Sequence, residues 1–421
     1  MTRKLLIAIL TVSALVADNQ SVDAQELAVP ESVGMSASRL NRLTDALDHY
    51  AESGQLSGGV AMVMRRGEAV FRHAFGVRDL ESGAPMHGDS IFRIASQTKA
   101  IVSVAVMLLH EEGKLLISDR VGKYMPEYAE TTVAVQDEDG YAIVPAERPI
   151  TIRDLLTHTA GVGYGGGPGA EKWAEAAIQG WYFAHLEEPI RDPARRIAEL
   201  PFESQPGDAF VYGYSTDILG ALVEVVAEQP LDLFLAERIF EPLGMKDTHS
   251  YLPESKVDRL AVVYVSDESG LAAAPEGPGM FTQGQYVEGP RQSFSGGAGL
   301  LSAADDYARF LQMTLNGGEL DGVRLLSPKT VELMTANHVG DKFLWGAGTG
   351  FGLGFSVLAD LGARGTMGTV GEYAWGGAYH SAYWVDPAEE LVVVYFTQIF
   401  PAGGLDDHAR LRALVYQAIV E

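Results

Sequence analysis

The chain has 421 residues, 47% of them hydrophobic and 21% charged, and a formal charge of −25 at pH 7. That acidity argues against nucleic acid and anionic membranes as partners, because both need basic surface to displace counterions. The absence of Cys excludes disulfides, thiolate nucleophiles, iron–sulfur clusters and zinc–cysteine sites, and leaves oxygen and nitrogen chemistry.

Thr2-Arg3-Lys4 is a short basic start ahead of an apolar run from Leu5 to Ala17. The run is too short to cross a bilayer and has the length of a signal-peptide core. Val22-Asp23-Ala24 supplies a small-x-small site, so residues 1–24 are expected to be a leader cleaved before Gln25. Export to the periplasm or medium follows, and no other stretch predicts stable membrane insertion.

Leu40, Leu43, Leu47 and Tyr50 recur at helical spacing and predict a helix over 36–53, stopped at Gly54. Strand-like runs Gly59–Met64 and Ala69–Gly76 flank Arg65-Arg66-Gly67-Glu68, which reads as a hairpin. A largely apolar, buried helix covers 96–112 and ends at Gly113. From about 120 to 340, helices alternate with long Gly/Pro loops, most clearly at 151–157, 215–228, 230–240, 303–315 and 328–336. Strand runs return at Gly352–Leu358, Ala382–Val385 and Leu391–Thr397, before a last helix over roughly 406–420.

Strands at both ends with helices between predict an α/β fold of the α+β type. A mainly antiparallel sheet flanked by helices is formed by both chain ends, with a mostly helical part inserted. The mature domain is expected to span 25–421. Its α/β part covers about 25–120 and 340–421, and its helical part about 121–339. Gly161-Val-Gly-Tyr-Gly-Gly166 matches a dinucleotide fingerprint formally, but a helical segment precedes it where that motif needs a strand, so it reads as a flexible loop.

There is no Gly-x-Ser-x-Gly elbow, no His-Glu-x-x-His and no Walker loop, and the ten His are scattered. One candidate survives: Ser96-Gln97-Thr98-Lys99, the single Ser-x-x-Lys of the chain. Residues three apart share a helix face, so the Lys99 amine can reach the Ser96 hydroxyl. A serine needs a base beside it, and a lysine in water, with pKa ~10.4, keeps its proton until burial and positive neighbours remove it. The alternative is an N-capping Ser96 with a snorkelling Lys99. Two further segments bear on the choice. Tyr212 and Tyr214 follow the Pro206-Gly207 turn, and Trp375-Gly376-Gly377 precedes the last strands, where glycines let a backbone approach a ligand.

Together these motifs resemble the β-lactamase-like serine hydrolases, most closely the family VIII carboxylesterases, relatives of class C β-lactamases and penicillin-binding proteins. Ile91–Lys99, Thr151–Gly161, Ile239–Thr248, Ser295–Ser302 and Trp375–Pro387 carry the same likeness, in the same order, over about 35–420. The resemblance implies Ser96 as nucleophile, Lys99 as its base and Tyr212 as the catalytic tyrosine, with Tyr214 as the fallback. It implies an oxyanion hole from the backbone N–H groups of Ser96 and Ala378. Trp375 stands where β-lactamases have a lysine for the substrate carboxylate, and Tyr214 where they have asparagine. Trp375, Gly376, Gly377 and Tyr214 are therefore expected to line an apolar binding site.

The expected function is hydrolysis of short-chain or small uncharged esters through an acyl-enzyme, with no metal or organic cofactor. The alternatives are a β-lactamase, D-amino-acid peptidase, amide hydrolase or acyltransferase on the same site, or a non-catalytic cell-wall binding protein. No oligomeric state is assigned from the sequence.

Overall fold

Two strands from the start of the chain and five from its end are laid side by side in one sheet, with a short edge strand beyond. The computed structural model describes residues 27–138, 140–267 and 270–421, and the expected leader over 1–24 lies outside the described residues. The strands are β1 (Gly58–Arg65), β2 (Glu68–Asp79), β3 (Ala84–Pro85), β4 (Thr349–Phe351), β5 (Ser356–Leu358), β6 (Tyr373–Gly377), β7 (Ser381–Asp386) and β8 (Leu391–Thr397). They run in the order β4-β5-β6-β7-β8-β1-β2-β3, with every neighbouring pair antiparallel. The two ends of the chain meet at the β1–β8 pair, where Val63 lies opposite Val393.

The principal helices are α1 (Ala37–Glu52), α2 (Thr98–Glu111), α3 (Ser215–Ala227), α4 (Ala304–Leu315) and α5 (Asp407–Tyr416). Strand side chains alternate between faces, and both faces of β1 and β8 are covered. Ala61, Val63, Val393 and Tyr395 pack with Leu40, Leu43 and Leu47 of α1 and with Leu411 and Val415 of α5. Val60, Met62, Val394 and Phe396 face the other way, into the cluster that holds α2, α3 and α4. Two-sided burial explains why these strands are apolar throughout instead of alternating. Each such side chain contributes about 1.5–3 kcal/mol on burial. Helix α2 runs inside the larger cluster, buried from Thr98 to Leu109.

Several expectations are refined. Gly352–Leu358 is not one strand: the chain reverses between β4 and β5, which pair as a hairpin with Gly350 opposite Val357. Gly354 has φ +92°, a conformation that favours glycine. The segment expected as a helix over 230–240 is α-helical at Leu231–Leu235 and continues as a π-helical turn at Ala236–Phe240. A hairpin of Thr132–Asp137 with Gly140–Pro145 lies inside the mostly helical region, and the β-branched run around Asp139-Gly140 is the sequence signal for it. Among the described residues no helix is long and apolar enough to cross a membrane.

Candidate active site

The strand Ile91–Arg93 pairs with Leu301–Ala303 and leads into a 3-10 turn, Ala95–Gln97, which feeds α2. Ser96 therefore sits on the turn before the helix and not on its first residue. Ala95 has φ +43°, a strained backbone for a residue with a Cβ, costing of order 1–3 kcal/mol. Ala95 is fully buried. The kink presents Ser96 to a cavity of about 710 Å³ that Tyr212, Trp375, Gly376, Gly377 and Ala378 also line.

Lys99 is 2% exposed, so its amine must find partners inside the protein. It has three. The Nζ atom lies within hydrogen-bond reach of Gly297 O at 2.7 Å, the Tyr164 hydroxyl at 3.0 Å and Ser96 Oγ at 3.3 Å. Gly297 is held in turn through its N–H by Asp217 of α3, whose Oδ1 accepts from it at 3.0 Å and from Ser295 Oγ at 2.6 Å. A Cβ on Gly297 would lie 2.3 Å from Asp217 Oδ2, so only glycine permits this approach. Burial pushes the Asp217 carboxyl up, while the Lys99 charge and these hydrogen bonds pull it down.

Tyr212 faces the same amine through its ring, whose centroid is 4.6 Å from Lys99 Nζ. Its hydroxyl oxygen accepts a hydrogen bond from Trp375 Nε1 at 3.1 Å. Indole is a donor only, so the Tyr212 O–H hydrogen points elsewhere and stays available to the cavity. Tyr214, expected in the binding site, is instead fully buried. It stacks on Trp173 at 5.7 Å and donates its hydroxyl to Gly180 O. Trp375 lines the cavity as expected, with Phe343, Trp345, Trp181 and Tyr164 around it.

His158 packs beneath Tyr212, with ring centroids 4.7 Å apart, and has φ +55°. Burial, and next the Lys99 charge, hold it well below the usual histidine range. Below about pH 6.5 an unfolded histidine takes up a proton that the folded one refuses, so stability falls as pH falls. His158→Asn tolerates the left-handed backbone and cannot titrate. Urea titrations between pH 7 and pH 5 are expected to show a slope shallower than wild type by up to ~1.4 kcal/mol per pH unit. An unchanged slope would assign that acid lability to other groups.

The far wall is the end of β6. A Cβ on Gly377 would lie 2.4 Å from Ile94 O and 2.5 Å from Ser381 Oγ, so this strand packs directly on the turn that carries Ser96. Gln97 Nε2 donates to Ser381 Oγ at 3.1 Å and ties the turn to β7. Just past Ala378, His380 has φ +63°, and its Nε2 hydrogen-bonds Asp407 Oδ1 at 2.7 Å. Asp407 also accepts from the Tyr395 hydroxyl at 2.8 Å. Among the described residues His380, Asp407 and His408 form the one His/carboxylate group with ligand atoms close enough for a metal. The two imidazoles are stacked 4.0 Å apart, an arrangement that braces the β6–β7 turn.

Tyr164, Gly297, Phe343 and Trp345 escaped sequence reasoning. Tyr164 is an aromatic in the glycine-rich stretch expected to be a flexible loop, yet Gly161–Gly163 and Gly165 are buried there. Gly297 lies in Ser295–Ser302, noted above only for its likeness.

A Beta-lactamase family model matches residues 43–417. The chain is 34% identical to Esterase EstB of Burkholderia gladioli over 376 residues, covering 86% of this chain and 91% of that protein. It is 31% identical to the lovastatin esterase of Penicillium rubens, covering 69% and 71%. Among solved structures, EstCE1, described as a hydrolase with promiscuous acyltransferase activity, superimposes with a TM-score of 0.79 at 29% identity, covering 90% of this chain and 98% of that one.

Proposed function

The chain belongs to the beta-lactamase family, and from that premise we propose that it is a serine carboxylesterase acting on small uncharged esters. The observation that carries the reading is the Lys99 amine, buried and hydrogen-bonded to Ser96 Oγ at the floor of an aromatic cavity. Ser96 attacks the ester carbonyl while Lys99 and Tyr212 take its proton and pass it to the leaving alcohol. The backbone N–H groups of Ser96 and Ala378 hold the tetrahedral oxyanion. Water, activated by the same pair, then releases the acid from the acyl-enzyme. Gly376 and Gly377 let β6 come close to the acyl group, and Trp375 offers it an uncharged surface in place of a lysine. The esterase names of two relatives support the ester as substrate.

Purified protein is expected to turn over p-nitrophenyl acetate faster than a chromogenic cephalosporin; the reverse order would favour a β-lactamase. Tyr212→Phe removes the hydroxyl that relays the proton and is expected to lower kcat by about 10²–10⁴-fold. Tyr214→Phe leaves Gly180 O without its donor and is expected to lower stability by about 1–3 kcal/mol while kcat is nearly kept. Equal kcat losses in the two variants would overturn the assignment of Tyr212. Residues 1–24 read as an export leader.

A further inference from the structure

Fifteen or so side chains wall the cavity, and among the described residues none of them is Leu, Ile, Val or Met. The apolar surface is supplied by rings: Tyr164, Trp181, Tyr212, Phe343, Trp345 and Trp375, with only alanines besides. An acyl chain is accommodated by any aliphatic wall, whereas ring faces and edges reward a planar π-system at 4.5–7 Å. Trp345 lies nearly parallel to Trp375, 18° apart with centroids at 5.9 Å, and meets Tyr212 edge-on at 4.8 Å. It is nevertheless 59% exposed, beside Phe343 at 7%. A tryptophan held by Tyr212, Trp375, Phe210 and Phe343 with much of its surface open is a prepared stacking partner.

Ring faces also attract cations, but among the described residues no carboxylate lines the cavity to pair with one. Lys99 Nζ already lies over the Tyr212 and Tyr164 rings, and the Arg364 guanidinium at the wall is ion-paired with Glu372. A neutral ring is favoured over an ammonium. The volume suffices: a cavity of about 150 Å³ holds a benzene, and this one is about 710 Å³.

We infer that the site selects esters bearing a neutral aromatic ring, and that Trp345 is the specificity-determining residue that stacks on it. The inference rests on the esterase reading and names its substrate class. The test compares kcat/KM for methyl cinnamate, with the ring in the acid, 2-naphthyl acetate, with the ring in the alcohol, and ethyl acetate, with neither. The ratio of an aromatic ester to ethyl acetate cancels any loss of folded enzyme. In Trp345→Ala that ratio is expected to fall about tenfold for at least one aromatic ester, and Trp345→Phe to restore most of it. The ester affected tells which side of the scissile bond faces the ring. Unchanged ratios for both aromatic esters overturn the inference.

Should wild type hydrolyse none of the three, the esterase reading fails, and binding decides the inference by itself. Methyl cinnamate titrated into Ser96→Ala, read by tryptophan fluorescence, is expected to bind about tenfold more weakly once Trp345→Ala is added. No binding, or equal binding, overturns it.

Discussion

Ser96→Ala is expected to lower kcat/KM for p-nitrophenyl acetate by about 10⁴–10⁶-fold, leaving only what binding and oxyanion donors supply. Lys99→Ala is expected to lose nearly as much, and the double variant little more, because a nucleophile and its base act as one unit. The two should part in stability. Ser96 is a half-buried side chain whose hydroxyl, among the described residues, has one hydrogen-bond partner, Lys99 Nζ at 3.3 Å. Lys99 also satisfies Gly297 O and the Tyr164 hydroxyl and lies in the field of the buried Asp217. Removing it leaves a buried carbonyl without its donor, a cost of order 1–3 kcal/mol. Steady-state rates, intact-protein mass after brief exposure to substrate, and urea midpoints separate the two effects. Ser96→Ala retaining more than about a hundredth of wild-type rate would falsify the assignment of the nucleophile.

The second large effect is expected where no side chain exists. Backbone donors cannot be deleted, but they can be displaced, and Gly377 offers the lever. An alanine methyl there would lie 2.4 Å from Ile94 O and 2.5 Å from Ser381 Oγ. Neither can retreat easily: Ile94 belongs to the strained turn at Ala95, and Ser381 is bonded to Gln97. Strand β6 must therefore lift away from the turn, carrying Ala378 N–H with it. Losing one oxyanion donor typically costs ~10²–10³ in kcat, and Gly377→Ala is expected to fall in that range, with KM changed far less. Rates are to be normalised to the folded fraction from a melting curve. A kcat within a few-fold of wild type would remove Ala378 from the oxyanion hole.

What could be read from the sequence was what short stretches decide. Ser96 and Lys99 lie three residues apart on one turn, so spacing puts them within reach, and the Tyr212 and Trp375 segments weigh the choice toward a nucleophile and its base. The helix α1 follows from its apolar period, and the hairpin of β1 and β2 from two strand-like runs flanking Arg66-Gly67. Tyr212 and Tyr214 show the limit. Two residues apart and flanking one glycine, they differ in what lies on top of them. Trp173 covers Tyr214, and it belongs to a six-residue helix, Ala170–Glu175, in a segment without a clear apolar period. Tyr164, Gly297 and Trp345 come from loops whose positions are set by packing against distant residues. No local pattern of polar and apolar positions encodes such placement. Trp345 illustrates this: its neighbours Trp375 and Tyr212 lie far away in the chain.

The pairing of Val63 with Val393 has a consequence for the order of events in the life of the chain. Ser96 belongs to the first quarter synthesised, but β6, which packs on its turn, and β8, which locks β6 and β7 to β1, are among the last segments made. A sheet closed across so long a loop forms late, because the loop-closure entropy must be overcome before the contacts repay it. The cavity that Ser96 lines therefore has its β6 wall only once the last strands are in place. A truncation within the last strand takes away β8 and α5, and with them the pairing that ties β7 to β1 and the side chains that cover one face of the sheet.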